Sequence, residues 1–95
     1  MFARVVTAQA EAEGFDSVTR LAREQLPAAR QQPGFRGFYL LSDSESGKLM
    51  TISLWETKEH MQAGEAQAAQ LRGQAAPAAA LTGLRVDGYE VTISA

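Results

Sequence analysis

The chain contains no cysteine, which removes disulfides, thiolate nucleophiles and cysteine-held zinc or iron–sulfur clusters together. It has one histidine, His60, and one tryptophan, Trp55. A single imidazole among scattered acids makes no metal site. With no nucleophile-elbow motif it makes no Ser–His–Asp triad either. No glycine-rich phosphate loop is present. No apolar run approaches the roughly 18 residues needed to cross a bilayer, and the first residues lack the long apolar stretch of a secretory signal. Nine basic residues face 11 acidic ones, a formal net charge of −2. No basic face stands out, which argues against nucleic acid as a partner. The expectation is a soluble, cytoplasmic protein without metal or cofactor, binding neither nucleic acid nor membrane.

The chain does contain regular alternation of hydrophobic period. At 95 residues and 45% hydrophobic it suits one small globular domain, residues 1–95. Phe2 to Gln9 alternates and is β-branched at its centre, as a strand does. From Phe15 to Arg30 the period becomes helical: Phe15, Val18, Leu21, Ala22, Leu26 and Ala29 share a face. Pro27 is expected to kink this helix or loosen its last turn, and "QQPG" ends it. Phe35 to Ser42 and Leu49 to Trp55 flank the polar "DSESGK" and predict a hairpin. Thr57 is placed as the N-cap of the next helix. Met61, Gly64, Ala68 and Leu71 form a small-residue stripe suited to close packing on a sheet. Gly73 is expected to end this helix, with a separate short turn at Pro77. Leu84 to Ser94 alternates again, and Gly88 suggests a bulge or a close backbone approach. The order β-α-β-β-α-β predicts an α+β, ferredoxin-like fold: a four-stranded antiparallel sheet with both helices on one face.

Helices on one face leave the other to be covered. Apolar groups occur on both: Met50, Ile52 and Leu54 oppose Leu49, Thr51, Ser53 and Trp55. The alternation also sets Phe35, Tyr39 and Leu41 against Arg36, Phe38 and Leu40, and Leu84 and Val86 against Tyr89, Val91 and Ile93. Exposing such a face is unfavourable for a small protein, so face-to-face packing in a homodimer is expected. Two small hydroxyls beside one large aromatic suit a pocket wall, so Thr51, Ser53 and Trp55 are candidate binding residues. Ordinary interface filling is the alternative for the same residues.

Gln31 to Ala63, with Pro33-Gly34-Phe35 opening a strand, a polar hairpin and Leu54-Trp55-Glu56 running into a helix, resembles the antibiotic biosynthesis monooxygenase family. The ending "GYEV" is similar as well. The resemblance implies a dimeric α+β barrel with a cavity in each protomer between sheet and helices. Some members are cofactor-independent oxygenases of phenols or hydroquinols, others degrade haem, and many have no known activity. The haem-degrading branch carries a His about three helical turns beyond this Trp. The matching stretch here, "GEAQAAQ", has none, and His60 lies too near Trp55 to replace it.

A cofactor-free oxygenase needs an aromatic wall and one or two polar groups, because the substrate carries the electrons. The catalytic candidates are Trp55, Tyr39 and His60. Thr51, Ser53, Trp55 and Arg36 are the substrate-binding candidates, Arg36 as a phenolate partner. Each has a structural alternative: Trp55 as core, Tyr39 as a strand former, Arg36 as a surface cation, His60 as a helix-border residue. Two functions are carried forward. One is a monooxygenase of an aromatic hydroquinol or polyketide-like substrate, using O2. The other is a non-catalytic ligand-binding or accessory protein of the same fold. Haem degradation ranks third.

Overall fold

A computed structural model describes residues 1–95. The hydrophobic period switches where the elements do. Strand β1 is Phe2–Gln9, helix α1 Gly14–Arg30, strand β2 Phe35–Asp43, strand β3 Lys48–Trp55, helix α2 Lys58–Ala63, helix α3 Glu65–Ala78 and strand β4 Thr82–Glu90. The sheet order is β2-β3-β1-β4, with every neighbouring pair antiparallel. The expected ferredoxin-like α+β architecture is what forms. No helix is long and apolar enough to cross a membrane.

Helix α1 buries the predicted face. Val18 is buried, Phe15, Leu21, Ala22 and Leu26 are half-buried, and Asp16, Arg20, Arg23 and Glu24 are exposed. The helix runs through Pro27 to Arg30. Pro27 lies on the exposed side, where water can satisfy the carbonyl that loses its donor. Val18 packs with Leu49, Ala75 and Ala79 in the buried core, flanked by Phe15, Leu21, Leu40 and Leu81.

The second helical segment departs from expectation. It breaks at Gly64 rather than Gly73 and then runs on through Gly73 and Pro77 to Ala78. The alanines around Gly73 favour helix, and one interior glycine costs only about 1 kcal/mol against them. Thr57 caps α2 as predicted, its hydroxyl accepting from the His60 N–H at 3.1 Å.

Register decides which side chains meet. Phe2, Arg4, Val6 and Ala8 of β1 pair with Trp55, Ser53, Thr51 and Leu49 of β3. Directly paired residues share a face, and this one looks towards the helices. On β2 the register shifts between Phe35 and Gly37, leaving Arg36 as an extra residue. A bulge of this kind breaks strict alternation. It places Phe35 and Phe38 on the helix side together, correcting the predicted opposition of the two. A second irregularity lies opposite Thr7 and Gln9, at Gly83, whose φ is +62°. Gly88 instead marks close approach, since a β-carbon there would lie 3.2 Å from Cε of Met61. Strand β4 stops at Glu90, short of the predicted Ser94. The Val91 N–H still donates to the Met1 carbonyl, at 2.8 Å, but Ile93 is exposed.

Candidate functional site

Between the sheet and helices α1 and α3 lies a mostly apolar cavity of about 120 Å³. Its sheet wall includes Thr51, Ser53 and Trp55, with Phe35 and Phe38 beside them. Its helix wall includes Leu26 of α1 and Leu71 of α3. The alternation of β3 therefore does what small hydroxyls next to an aromatic suggested: all three residues line one space.

Trp55 is 3% exposed and held from three directions. Phe35 meets it edge-to-face, with centroids 5.5 Å apart, a favourable geometry for aromatic quadrupoles. Its Nε1–H donates to Oγ of Ser53 at 3.0 Å. The Arg4 guanidinium lies over the ring, 5.6 Å from its centroid, within cation–π range. Because Ser53 accepts from the indole, its own hydroxyl proton remains free to donate elsewhere.

Arg4 is a residue the sequence reading passed over. It is only 5% exposed, and a buried charge must be paired. Its Nε lies 2.8 Å from Oε2 of Glu65, and its Nη2 donates to the Met61 carbonyl. The other oxygen of Glu65, Oε1, accepts from Nη2 of Arg72. One carboxylate thus sits between two guanidinium groups, one from β1 and one from α3. Burial pulls the Arg4 pKa below its ordinary value, Glu65 opposes that shift and Arg72 adds to it. The group stays charged throughout the physiological range. A signal was present: Arg4 is the one charge on an apolar face of β1. Glu65 and Arg72 are two helical turns apart and share a face of α3.

Arg4 and Arg72 line the cavity; Tyr39, His60 and Arg36 do not. Tyr39 pairs with Ile52 on the outer face and is 58% exposed. Arg36 is the bulged residue and is exposed. His60 packs against the turn at Gly34, where a β-carbon would lie 2.3 Å from its Cγ. Its Nδ1 is 2.9 Å from the Thr57 hydroxyl. Three of the sequence candidates are thereby brought together and three are set apart from them.

A βαββαβ fold with a cavity between sheet and helices defines a ferredoxin-like α+β architecture. The family model for antibiotic biosynthesis monooxygenase matches residues 1–76, and the chain belongs to that family. Uncharacterised proteins of two Mycobacterium tuberculosis strains are 35% identical over 77 residues, 80% of this chain and 34% of theirs. The chain therefore spans about a third of the length of these relatives.

Among solved structures, a Deinococcus radiodurans protein assigned to the antibiotic biosynthesis monooxygenases superposes with a TM-score of 0.80 at 22% identity, over 100% of this chain and 96% of that one. The ActVA-Orf6 monooxygenase of Streptomyces coelicolor, in complex with nanaomycin D, gives 0.81 at 15% identity, over 99% and 89%. The haem degrader MhuD of Mycobacterium tuberculosis, with two haems in its active site, gives 0.76 at 20% identity, over 100% and 99%. At these identities the likeness is one of fold.

Proposed function

We propose that the chain is a cofactor-independent monooxygenase of electron-rich aromatic hydroquinols, bound in the cavity against Trp55. One observation carries this reading: a mostly apolar cavity with a buried indole in its wall, whose Nε1–H meets Ser53 and whose ring face meets Arg4. An apolar cavity of about 150 Å³ is known to take up benzene. A cavity of about 120 Å³ is thus on the scale of one ring, and a polycycle would need α3 to move outward.

The chemistry belongs to the substrate. A hydroquinol loses a proton, and the phenolate passes one electron to O2. The resulting radical pair closes a carbon–oxygen bond, giving a hydroperoxide that expels water. Overall, hydroquinol and O2 give a hydroxyquinone and water, with one oxygen atom retained and no external reductant consumed. The protein orients the ring, donates from Ser53 and excludes bulk water. The arginines favour the phenolate over the neutral phenol.

The test is oxygen uptake by metal-free protein with a panel of hydroquinones and anthrones. Uptake above the spontaneous rate is expected with single-ring hydroquinones, reduced about tenfold in Ser53→Ala as one donor is lost. No uptake above background across the panel would refute the reading. A second reading, binding without turnover, is favoured by the cavity wall itself, where no carboxylate or histidine is present to act as base. Saturable binding without uptake would support it. Haem degradation fits these residues poorly, since no imidazole lines the cavity and an axial ligand is the usual anchor.

The outer face of the sheet suits a second copy of the chain. Tyr39, Leu41 and Tyr89 stand exposed there, beside Met50, Ile52 and Leu54. Only 11 of the 95 residues are buried, so a protomer that pairs this face gains core it lacks alone.

A further inference from the structure

The charges at the cavity do not balance. Arg4 and Arg72 both line it, and the one acid between them is Glu65. Glu65 spends one oxygen on each arginine. Arg4 places Nε on Glu65 and Nη2 on the Met61 carbonyl. Arg72 has a buried Nη1 that meets no hydrogen-bond partner. A buried donor atom without a partner is costly and correspondingly rare. The remaining cavity wall is apolar or neutral, with Gln25, Gln32 and Gln67 among its polar members. Asp87 lines a separate open groove that Arg4 also lines, and lies 4.0 Å from Arg85. It adds no negative charge to the cavity wall.

We infer that the cavity selects aromatic ligands carrying a permanent negative charge, aromatic carboxylates above all, with the carboxylate held by Nη1 of Arg72 and the ring lying against Trp55. The inference deepens the proposed function and rests on the same reading of the cavity as a ligand site. It narrows the substrate from any hydroquinol to a hydroquinol or phenol bearing an acid group. The physical reason is complementary on both sides. A guanidinium N–H already removed from water gains a charge-assisted hydrogen bond. The ligand's ring replaces water against an apolar wall. Glu65 acts as a brake on this site, cancelling one of the two positive charges.

The test uses Trp55 as the reporter, because it is the sole tryptophan and lines the cavity. Its fluorescence is followed while the protein is titrated with benzoate and, separately, with the neutral isostere benzamide. Benzoate is expected to bind at least tenfold more tightly, the scale of one hydrogen bond to a charged group. Arg72→Gln should abolish that preference by weakening benzoate binding far more than benzamide binding, and Arg72→Lys should restore part of it. Glu65→Gln should strengthen benzoate binding. Equal affinities in the unmodified protein, a preference that survives Arg72→Gln, or weaker benzoate binding in Glu65→Gln would each overturn the inference. Benzoate selectivity without oxygen uptake would leave this inference standing and count against the oxygenase. Uptake with neutral hydroquinones and no benzoate preference would do the reverse.

Discussion

A β-carbon on Gly64 would lie 2.6 Å from Cη2 of Trp55. The junction between α2 and α3 therefore rests directly on the indole, and only glycine permits that approach. It would also lie 2.7 Å from Oε1 of Gln32. The backbone of Gly64 is ordinary right-handed helix, with φ −79°, so the constraint is one of space and not of conformation.

Gly64→Ala should therefore destabilise the protein by about 1–3 kcal/mol, the usual cost of overpacking, and should shift the Trp55 emission. Gly73 provides the contrast. It lies inside α3 with nothing within 4 Å of its would-be β-carbon. Gly73→Ala should stabilise by about 0.5–1 kcal/mol. Denaturant melts of the two variants check both signs, and destabilisation in both would refute the packing account.

Gly34 and His60 are expected to behave as a coupled pair. Gly34 has φ +78°, and a β-carbon on it would meet the imidazole. Gly34→Ala alone combines left-handed strain, about 1–2 kcal/mol, with a steric clash. Adding His60→Ala should relieve the clash and leave the strain. A double-mutant cycle should therefore show a coupling of at least about 1 kcal/mol. Additive effects would mean that His60 does not hold this turn. Oxygen uptake in His60→Ala should stay at the unmodified level.

Arg4 is expected to matter more for stability than its place on a strand suggests. Arg4→Met keeps the stem and removes the charge. Glu65 retains Arg72, so no acid is left unpaired, but the Met61 carbonyl loses its donor. A loss of about 1–3 kcal/mol is expected. A variant as stable as the parent would indicate that the ion pair only offsets its own desolvation, as buried pairs sometimes do.

The outer face gives a separate expectation. Leu41 is 47% exposed and Tyr39 58%, so Leu41→Lys should shift a dimer towards monomer in sedimentation while the protomer stays folded. Tyr39→Phe should leave oxygen uptake unchanged, since the side chain lies across the sheet from the cavity. A parent protein that sediments as a monomer at micromolar concentration would remove the basis for this pairing.

Much of the architecture could be read along the chain because it depends on local period. The buried face of α1 and the joint facing of Thr51, Ser53 and Trp55 follow from spacings of 3.6 and 2, the Thr57 cap follows from the preference of a hydroxyl for that position, and Gly64 belonged to a stripe that already implied close contact. Tertiary structure decided what spacing cannot. The bulge at Arg36 turned Phe38 towards the cavity and left Arg36 outside it, because one extra residue reverses the alternation. Tyr39 fell on the outer face for the same reason. Gly73 did not stop α3, because its alanine neighbours and the absence of any contact left the helix free to continue. The Arg4–Glu65–Arg72 cluster joins a strand near the start of the chain to a helix near its end, and only the register of β1 against β3 and the seating of α3 on the sheet bring those charges together. The sequence by itself thus determined the kinds of element, their order and the β3 wall of the cavity, but not the helix break at Gly64 or the ends of α3 and β4. Folding determined the cavity's charge, since ion pairs between distant segments form only when packing removes both partners from water.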